Sequence, residues 1–170
     1  NINSLAYTLI CKDAFQAVIL PTLQELRVEL HTTAQLYKKI PILSLTHGQP
    51  ATPTTLGKEF AVFAARIDRK IVQLQNHTLL GKLGGATGTW AAHATSYPSV
   101  DWLAFSSSFI ASLGLQLNKL TTQIESRDSL TENYNTIAHI NTILTDVSQD
   151  IWHYISRGIF TKKKINGEVG

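Results

Sequence analysis

Apolar residues recur along this chain every three or four positions over long stretches, the spacing of one face of an α-helix. Ile19, Leu23, Leu26, Leu30 and Tyr37 mark such a stripe and predict a first helix over residues 2 to 38. Pro21 lies inside it and is expected to kink it, because proline lacks a backbone donor and its ring crowds the preceding turn. Leu56, Phe60, Phe63, Ile67, Ile71 and Leu74 predict a second helix over residues 54 to 80, capped by Thr54 or Thr55. A shorter helix is expected after Pro98, with Ser99 as its cap and Gly114 as its stop. The last, over residues 127 to 156, carries Ile137, Ile140, Leu144, Val147, Ile151 and Tyr154 at alternating spacings of three and four, which suits near-parallel bundle packing. No run alternates apolar and polar residues with strand periodicity, so no strand is predicted. The expected fold class is all-α, a bundle of long helices.

Composition sharpens this picture. A chain of 170 residues has the size of one domain or a piece of one. Only 16% of its residues are charged, with 15 Lys and Arg against 12 Asp and Glu, where soluble domains typically reach ~25%. Such a surface is covered either by neutral polar side chains or by a partner, a first indication of an oligomer. Apolar runs fall far short of the ~20 residues of a membrane span, and no signal peptide opens the chain. Basic residues are scattered apart from Lys162, Lys163 and Lys164, a cluster too short for a nucleic-acid surface and expected to be a solvated loop. Neither a membrane nor a nucleic acid is therefore expected as a partner. Cys11 stands alone, which excludes an internal disulfide and fits a reducing, cytoplasmic setting. The chain contains no methionine and closes on the turn-rich run Asn166 to Gly170, so it reads as an internal segment of a longer protein.

Candidate chemistry lies in the connections. Residues 41 to 53 include Thr46-His47-Gly48-Gln49-Pro50-Ala51-Thr52-Pro53. The two prolines stiffen the backbone, Gly48 leaves room for a ligand, and Thr46, His47 and Gln49 supply hydrogen-bonding groups. This is either a plain helix-to-helix turn or a polar-ligand site. Residues 81 to 88 hold four glycines, Gly81, Gly84, Gly85 and Gly88, whose amides could cradle an anion. They fit neither common nucleotide fingerprint, and a flexible connection is the plainer reading. Gln123, in the run Thr121-Thr122-Gln123-Ile124-Glu125, offers a donor and an acceptor suited to a carboxylate or amide. His31 and His77 fall on polar helix faces and are expected to meet solvent; His93 is either structural or pocket-lining; His139 and His153 are packing or surface groups. No His, Cys, Asp or Glu spacing suggests a metal site, and no serine sits on a nucleophile turn.

At Ser44-Leu45-Thr46-His47-Gly48-Gln49-Pro50-Ala51-Thr52-Pro53 the chain resembles the bacterial-type adenylosuccinate lyases, a family within the aspartase/fumarase superfamily. Further matching blocks follow in order: Asn1-Ile2-Asn3, Gly57-Lys58-Glu59, Gly81-Lys82 with Gly85-Ala86-Thr87-Gly88, Tyr97-Pro98-Ser99-Val100-Asp101-Trp102, Thr121-Thr122-Gln123-Ile124-Glu125 and the tail Asn166-Gly167-Glu168-Val169-Gly170. The resemblance implies the central helical domain of a lyase that eliminates fumarate from adenylosuccinate, leaving AMP, and from SAICAR, leaving AICAR. It implies a homotetramer in which several subunits share each active site, with no cofactor and no metal. By similarity His47 is the general acid, Gln123 binds substrate, and Thr46 is a weaker substrate contact. Imidazole titrates near 6.5, so it can deliver a proton near neutral pH. The family's general base is a serine in a signature loop expected after residue 170, so the segment alone is expected to be inactive. At position 1 many relatives carry Asp where this chain has Asn. Two rivals remain: another fumarate-releasing lyase such as argininosuccinate lyase, and a non-catalytic helical assembly module.

Overall fold

The structure is a computed structural model that describes residues 2–161, 163, 165 and 167. The match at Asn1, two of the three clustered lysines and nearly all of the expected turn-rich tail lie outside the described residues; Lys163 is exposed.

The expected first helix is present but interrupted. Helix α1 (Ile2–Ala14) runs through a π-turn (Phe15–Ile19) into α2 (Leu20–Leu36). In the π-turn the Leu20 amide donates to the Phe15 carbonyl. This widened turn ends two residues before Pro21, which sits in the first turn of α2, where a missing donor costs little. Leu23, Leu30 and Ala34 are buried on its inner face.

The expectation of no strands is overturned. Residues 41–55 form an antiparallel hairpin, β1 (Pro41–Thr46) and β2 (Gln49–Thr55), with a bulge between Leu43 and Leu45. Its faces are mostly exposed, so no hydrophobic alternation announces it. The backbone explains it instead. Pro50 and Pro53 favour extended neighbours, and His47 and Gly48 both have positive φ, +52° and +73°, as the primed hairpin turns require.

Helix α3 (Leu56–Asn76) follows at once, capped by Thr55, whose side chain accepts from the Lys58 amide. It ends four residues earlier than expected, and Leu80 enters a short strand, β3 (Leu80–Gly81). After the glycine stretch come α4 (Ala91–Ser96), which no periodicity announces, and α5 (Trp102–Ser112). Asp101, not Ser99, caps α5: its carboxylate accepts from the Ala104 amide at 3.0 Å. Gly114, at φ +69°, ends this helix as expected. Strand β4 (Gln116–Leu117) pairs parallel with β3, and the chain closes on the 29-residue α6 (Asp128–Ser156).

Two apolar clusters hold these elements. Leu23 and Leu30 of α2, Phe63, Ala64, Ile67, Ile71 and Leu74 of α3, and Ile140 and Ile143 of α6 form the first. Leu5, Phe15, Leu79, Ile110, Leu115, Leu117 and Leu130 form the second, at the β3–β4 end. On α6, Ile143 is buried while Ile151, expected on the inner stripe, is 37% exposed. Helices α3 and α6 run antiparallel. Tyr154 near the end of α6 meets Glu59 at the start of α3, and Ser129 in the first turn of α6 meets His77 just past the end of α3. His77 is thus not solvent-facing: its side chain is 17% exposed, and Nε2 lies 2.6 Å from the Ser129 carbonyl oxygen. His31 is exposed as expected and pairs with Asp68.

Candidate active site

At one end of the α3–α6 pair stands the hairpin, with His47 exposed at its tip. Nδ1 of His47 lies 3.2 Å from the Thr46 hydroxyl, so the two expected site residues are together. The contact engages Nδ1 of the ring rather than Nε2. Arg157, just past α6, donates from Nη2 to the Leu43 carbonyl at 3.2 Å and ties the hairpin to the helix end.

Between hairpin and helices lies a cavity of about 560 Å³, whose lining includes Lys58, Glu59, Asp150, His153 and Arg157. Its floor holds protons tightly. Burial, then the negative charges of Glu59 and Asp150, push the Tyr154 phenol up to about 12. It therefore remains a donor near neutral pH, with its hydroxyl 3.5 Å from Glu59 Oε2. Burial and then the Glu59 charge also raise the Asp150 carboxyl above its ordinary range. Sequence reading missed this group. Glu59 and Tyr154 are 95 positions apart, and only the antiparallel pairing of α3 and α6 brings them together.

At the opposite end, the glycine stretch and the run carrying Gln123 pack side by side. The Asn118 amide donates to the Gly81 carbonyl at 2.8 Å. A Cβ on Gly88 would fall inside 3.0 Å of the Thr121 carbonyl oxygen. The stretch is not a loose connection. Lys82 is 1% exposed and donates from Nζ to the Gly85 carbonyl at 2.6 Å, and burial lowers the pKa of its ammonium. A lysine inside the apolar run Leu79-Leu80-Gly81-Lys82-Leu83 was the available signal. His93 packs edge-on to Trp102 at 4.9 Å and lies against Gly85; among the described residues its Nδ1 is the buried side-chain atom without a hydrogen-bond partner. Gln123 itself is exposed. His139 and His153 are exposed too.

The structure therefore brings His47 and Thr46 together but not Gln123. The two groups sit at opposite ends of α3, whose 21 residues at ~1.5 Å each span roughly 30 Å. One small molecule cannot touch both within a single chain. Among the described residues, no His, Cys, Asp and Glu side chains converge as a metal site, and no helix is long and apolar enough to cross a membrane.

Long helices bearing polar loops at both ends define a helical-bundle protein, and comparison assigns its family. Residues 1–170 match the family described as Lyase, and the chain belongs to that family, within the aspartase/fumarase superfamily. It is 46% identical over 170 residues to the adenylosuccinate lyases of Haemophilus influenzae and Escherichia coli K12, and 45% identical to that of Legionella pneumophila strain Corby. All of this chain is covered in each case, but it spans only 37% of those relatives' length. Among solved structures, fumarate lyase from Mesorhizobium sp. BNC1 shares the fold with a TM-score of 0.72 at 23% identity, over 89% of this chain and 35% of that one. The 3-carboxy-cis,cis-muconate lactonizing enzyme from Pseudomonas putida gives 0.74 at 25% identity, over 88% and 33%.

Proposed function

We propose that this chain is the central helical segment of a cytoplasmic adenylosuccinate lyase, which releases fumarate from adenylosuccinate to leave AMP and from SAICAR to leave AICAR. The supporting observation is the hairpin: the Thr46–Pro53 block folds into a tight turn whose positive-φ histidine stands exposed at the tip. In the reaction, a base outside this segment takes the proton from the carbon next to a carboxylate. The C–N bond breaks, its electron pair passes to nitrogen, and the His47 imidazolium protonates that nitrogen. Thr46 orients the ring, and Gln123 holds a polar group of the substrate.

The placement of His47 and Gln123 at opposite ends of α3, a helix roughly 30 Å long, supports a shared site, in which His47 of one subunit meets Gln123 of another within a homotetramer. Apolar side chains left exposed here, such as Val28, Phe105, Phe109 and Trp152, supply surface for that assembly.

Complementation in the intact enzyme tests both ideas. His47→Ala alone is expected to lower turnover of adenylosuccinate ~10²–10⁴-fold, the usual worth of general acid–base catalysis. Oligomers reassembled from His47→Ala and Gln123→Ala subunits are expected to recover sites that combine parental turnover with the parental KM, which neither variant has alone, because those sites draw both intact residues from different chains. Near-normal turnover by His47→Ala removes it as the acid. No recovery in confirmed mixed oligomers overturns the shared site.

A further inference from the structure

Gln123 sits in a segment, residues 118–127, that contains no helix or strand, and its neighbours Leu120 and Ile124 are 92% and 65% exposed. Nothing about these side chains fixes where Gln123 points. Glu125, two positions on, is the exception: it is 1% exposed. Oε1 accepts from Asn118 Nδ2 at 2.9 Å, and Oε2 accepts from the Arg127 backbone amide at 2.6 Å. A carboxylate taken out of water is costly unless its oxygens are hydrogen-bonded, and here both are.

The two donors occupy opposite ends of the segment. Asn118 is anchored to the β3–β4 pair through the hydrogen bond its backbone N–H donates to the Gly81 carbonyl. Arg127 opens α6 and has φ +66°, a left-handed conformation that a residue with a side chain adopts only when its surroundings impose it. The same carboxylate thus clasps one rigid element, braces a strained residue at the start of another, and closes the span between them from inside. Thr121, within that span, lies against Gly88 of the glycine stretch.

We propose that Glu125 is a positioning residue that presents Gln123 to the substrate by tying both stems of its segment together. This rests on the reading of Gln123 as a substrate-binding group. Glu125 makes no contact with substrate; it acts through Gln123.

A double-mutant cycle in the intact enzyme tests this, with adenylosuccinate as substrate, KM and kcat measured separately, and the melting temperature followed alongside. Gln123→Ala is expected to raise KM about 10-fold, as loss of one good hydrogen bond does. Glu125→Ala is expected to raise KM by a similar factor while changing kcat less, the pattern of lost binding rather than lost chemistry. In the double variant KM stays within about 2-fold of Gln123→Ala alone, because the tether then has nothing to present. A general loss of structure would instead multiply the two effects, and that result overturns the proposal. If Glu125→Ala does not fold, Asn118→Ala removes one arm of the clasp and keeps the carboxylate. Its KM is expected to rise about 3-fold, and the rise disappears in the Gln123→Ala background; an unchanged KM overturns the tether. A wild-type KM for Gln123→Ala fails the reading of Gln123 and the tether with it, whereas an effect at Gln123 with multiplicative variants fails the tether alone.

Discussion

Gly57 in the first turn of α3 lies against Ala34 in the last turn of α2 so closely that a Cβ would fall inside 3.0 Å of the Ala34 carbonyl oxygen. The Lys38 backbone would stand equally close. The Gly57 amide donates to the Tyr37 carbonyl at 3.0 Å, and the Leu56 amide to the Ile40 carbonyl at 2.9 Å. This contact fixes where α3 starts, and so where the hairpin bearing His47 is rooted.

Gly57→Ala is accordingly expected to cost about 1–3 kcal/mol, because backbone rather than a mobile side chain must give way. Gly48→Ala in the hairpin turn has nothing within 4 Å to strike and strains only a φ of +73°, so about 1 kcal/mol is expected. Denaturant or thermal unfolding of the two variants of the intact enzyme should rank them in that order. A Gly57→Ala variant as stable as the parent would show that α2 and α3 can separate at no cost.

Asp68 joins α3 to α2 through Arg27 and through His31 Nε2, the latter at 2.9 Å. Burial alone would raise its pKa, but hydrogen bonds and charge from His31 and Arg27 together outweigh that and lower it from the ordinary 3.8. A carboxylate with a depressed folded-state pKa contributes stability above its unfolded value, and loses it as pH falls through the folded one. Since all three side chains are partly exposed, Asp68→Asn should destabilise by only about 0.5 kcal/mol at pH 7. The gap between variant and parent should close below pH 3.8. A gap that persists unchanged in acid would mean packing rather than charge holds this contact.

Asp150 carries the opposite sign. Burial first and the Glu59 charge second raise its pKa above 3.8, so the folded state resists its ionisation. Its contribution is greatest below 3.8, and is lost as pH rises through the raised folded value. Asp150→Asn should therefore stabilise the protein at pH 7 by about 0.5 kcal/mol, the low end for relieving a surface charge conflict. That advantage should vanish in acid, where the parent carboxyl is protonated as well. Melting temperatures of the two proteins across pH 3–7 would decide it, and a less stable variant at pH 7 would mean that His153 and Arg66 dominate the field at this site.

Much of the fold was legible along the chain because each long helix buries a continuous stripe. Leu23 and Leu30, Phe63 through Leu74, and Ile140 repeat at helical spacing and are buried together. The stop at Gly114 and the cap at Thr55 were legible for the same local reason: backbone conformation and hydrogen bonding within one turn decide them. The hairpin was not, since strands exposed on both faces leave no alternation, although its proline pair and its His47-Gly48 turn were in view. The cap at Asp101 was missed because Ser99 and Asp101 are equally good chemical candidates, and only the backbone path selects between them.

By itself, the order of residues determined the long helices, the family resemblance and the identities of Thr46, His47 and Gln123 as candidates. These depend on periodicity and local chemistry, which are written in neighbouring positions. Tertiary structure alone decided where those candidates stand relative to one another. The antiparallel pairing of α3 with α6 places the hairpin that carries His47 over Glu59, Asp150 and Tyr154, and leaves the run that carries Gln123 at the far end, beside the glycine stretch. No local pattern encodes that separation, because it follows from the length of a packed helix and from contacts between residues many tens of positions apart.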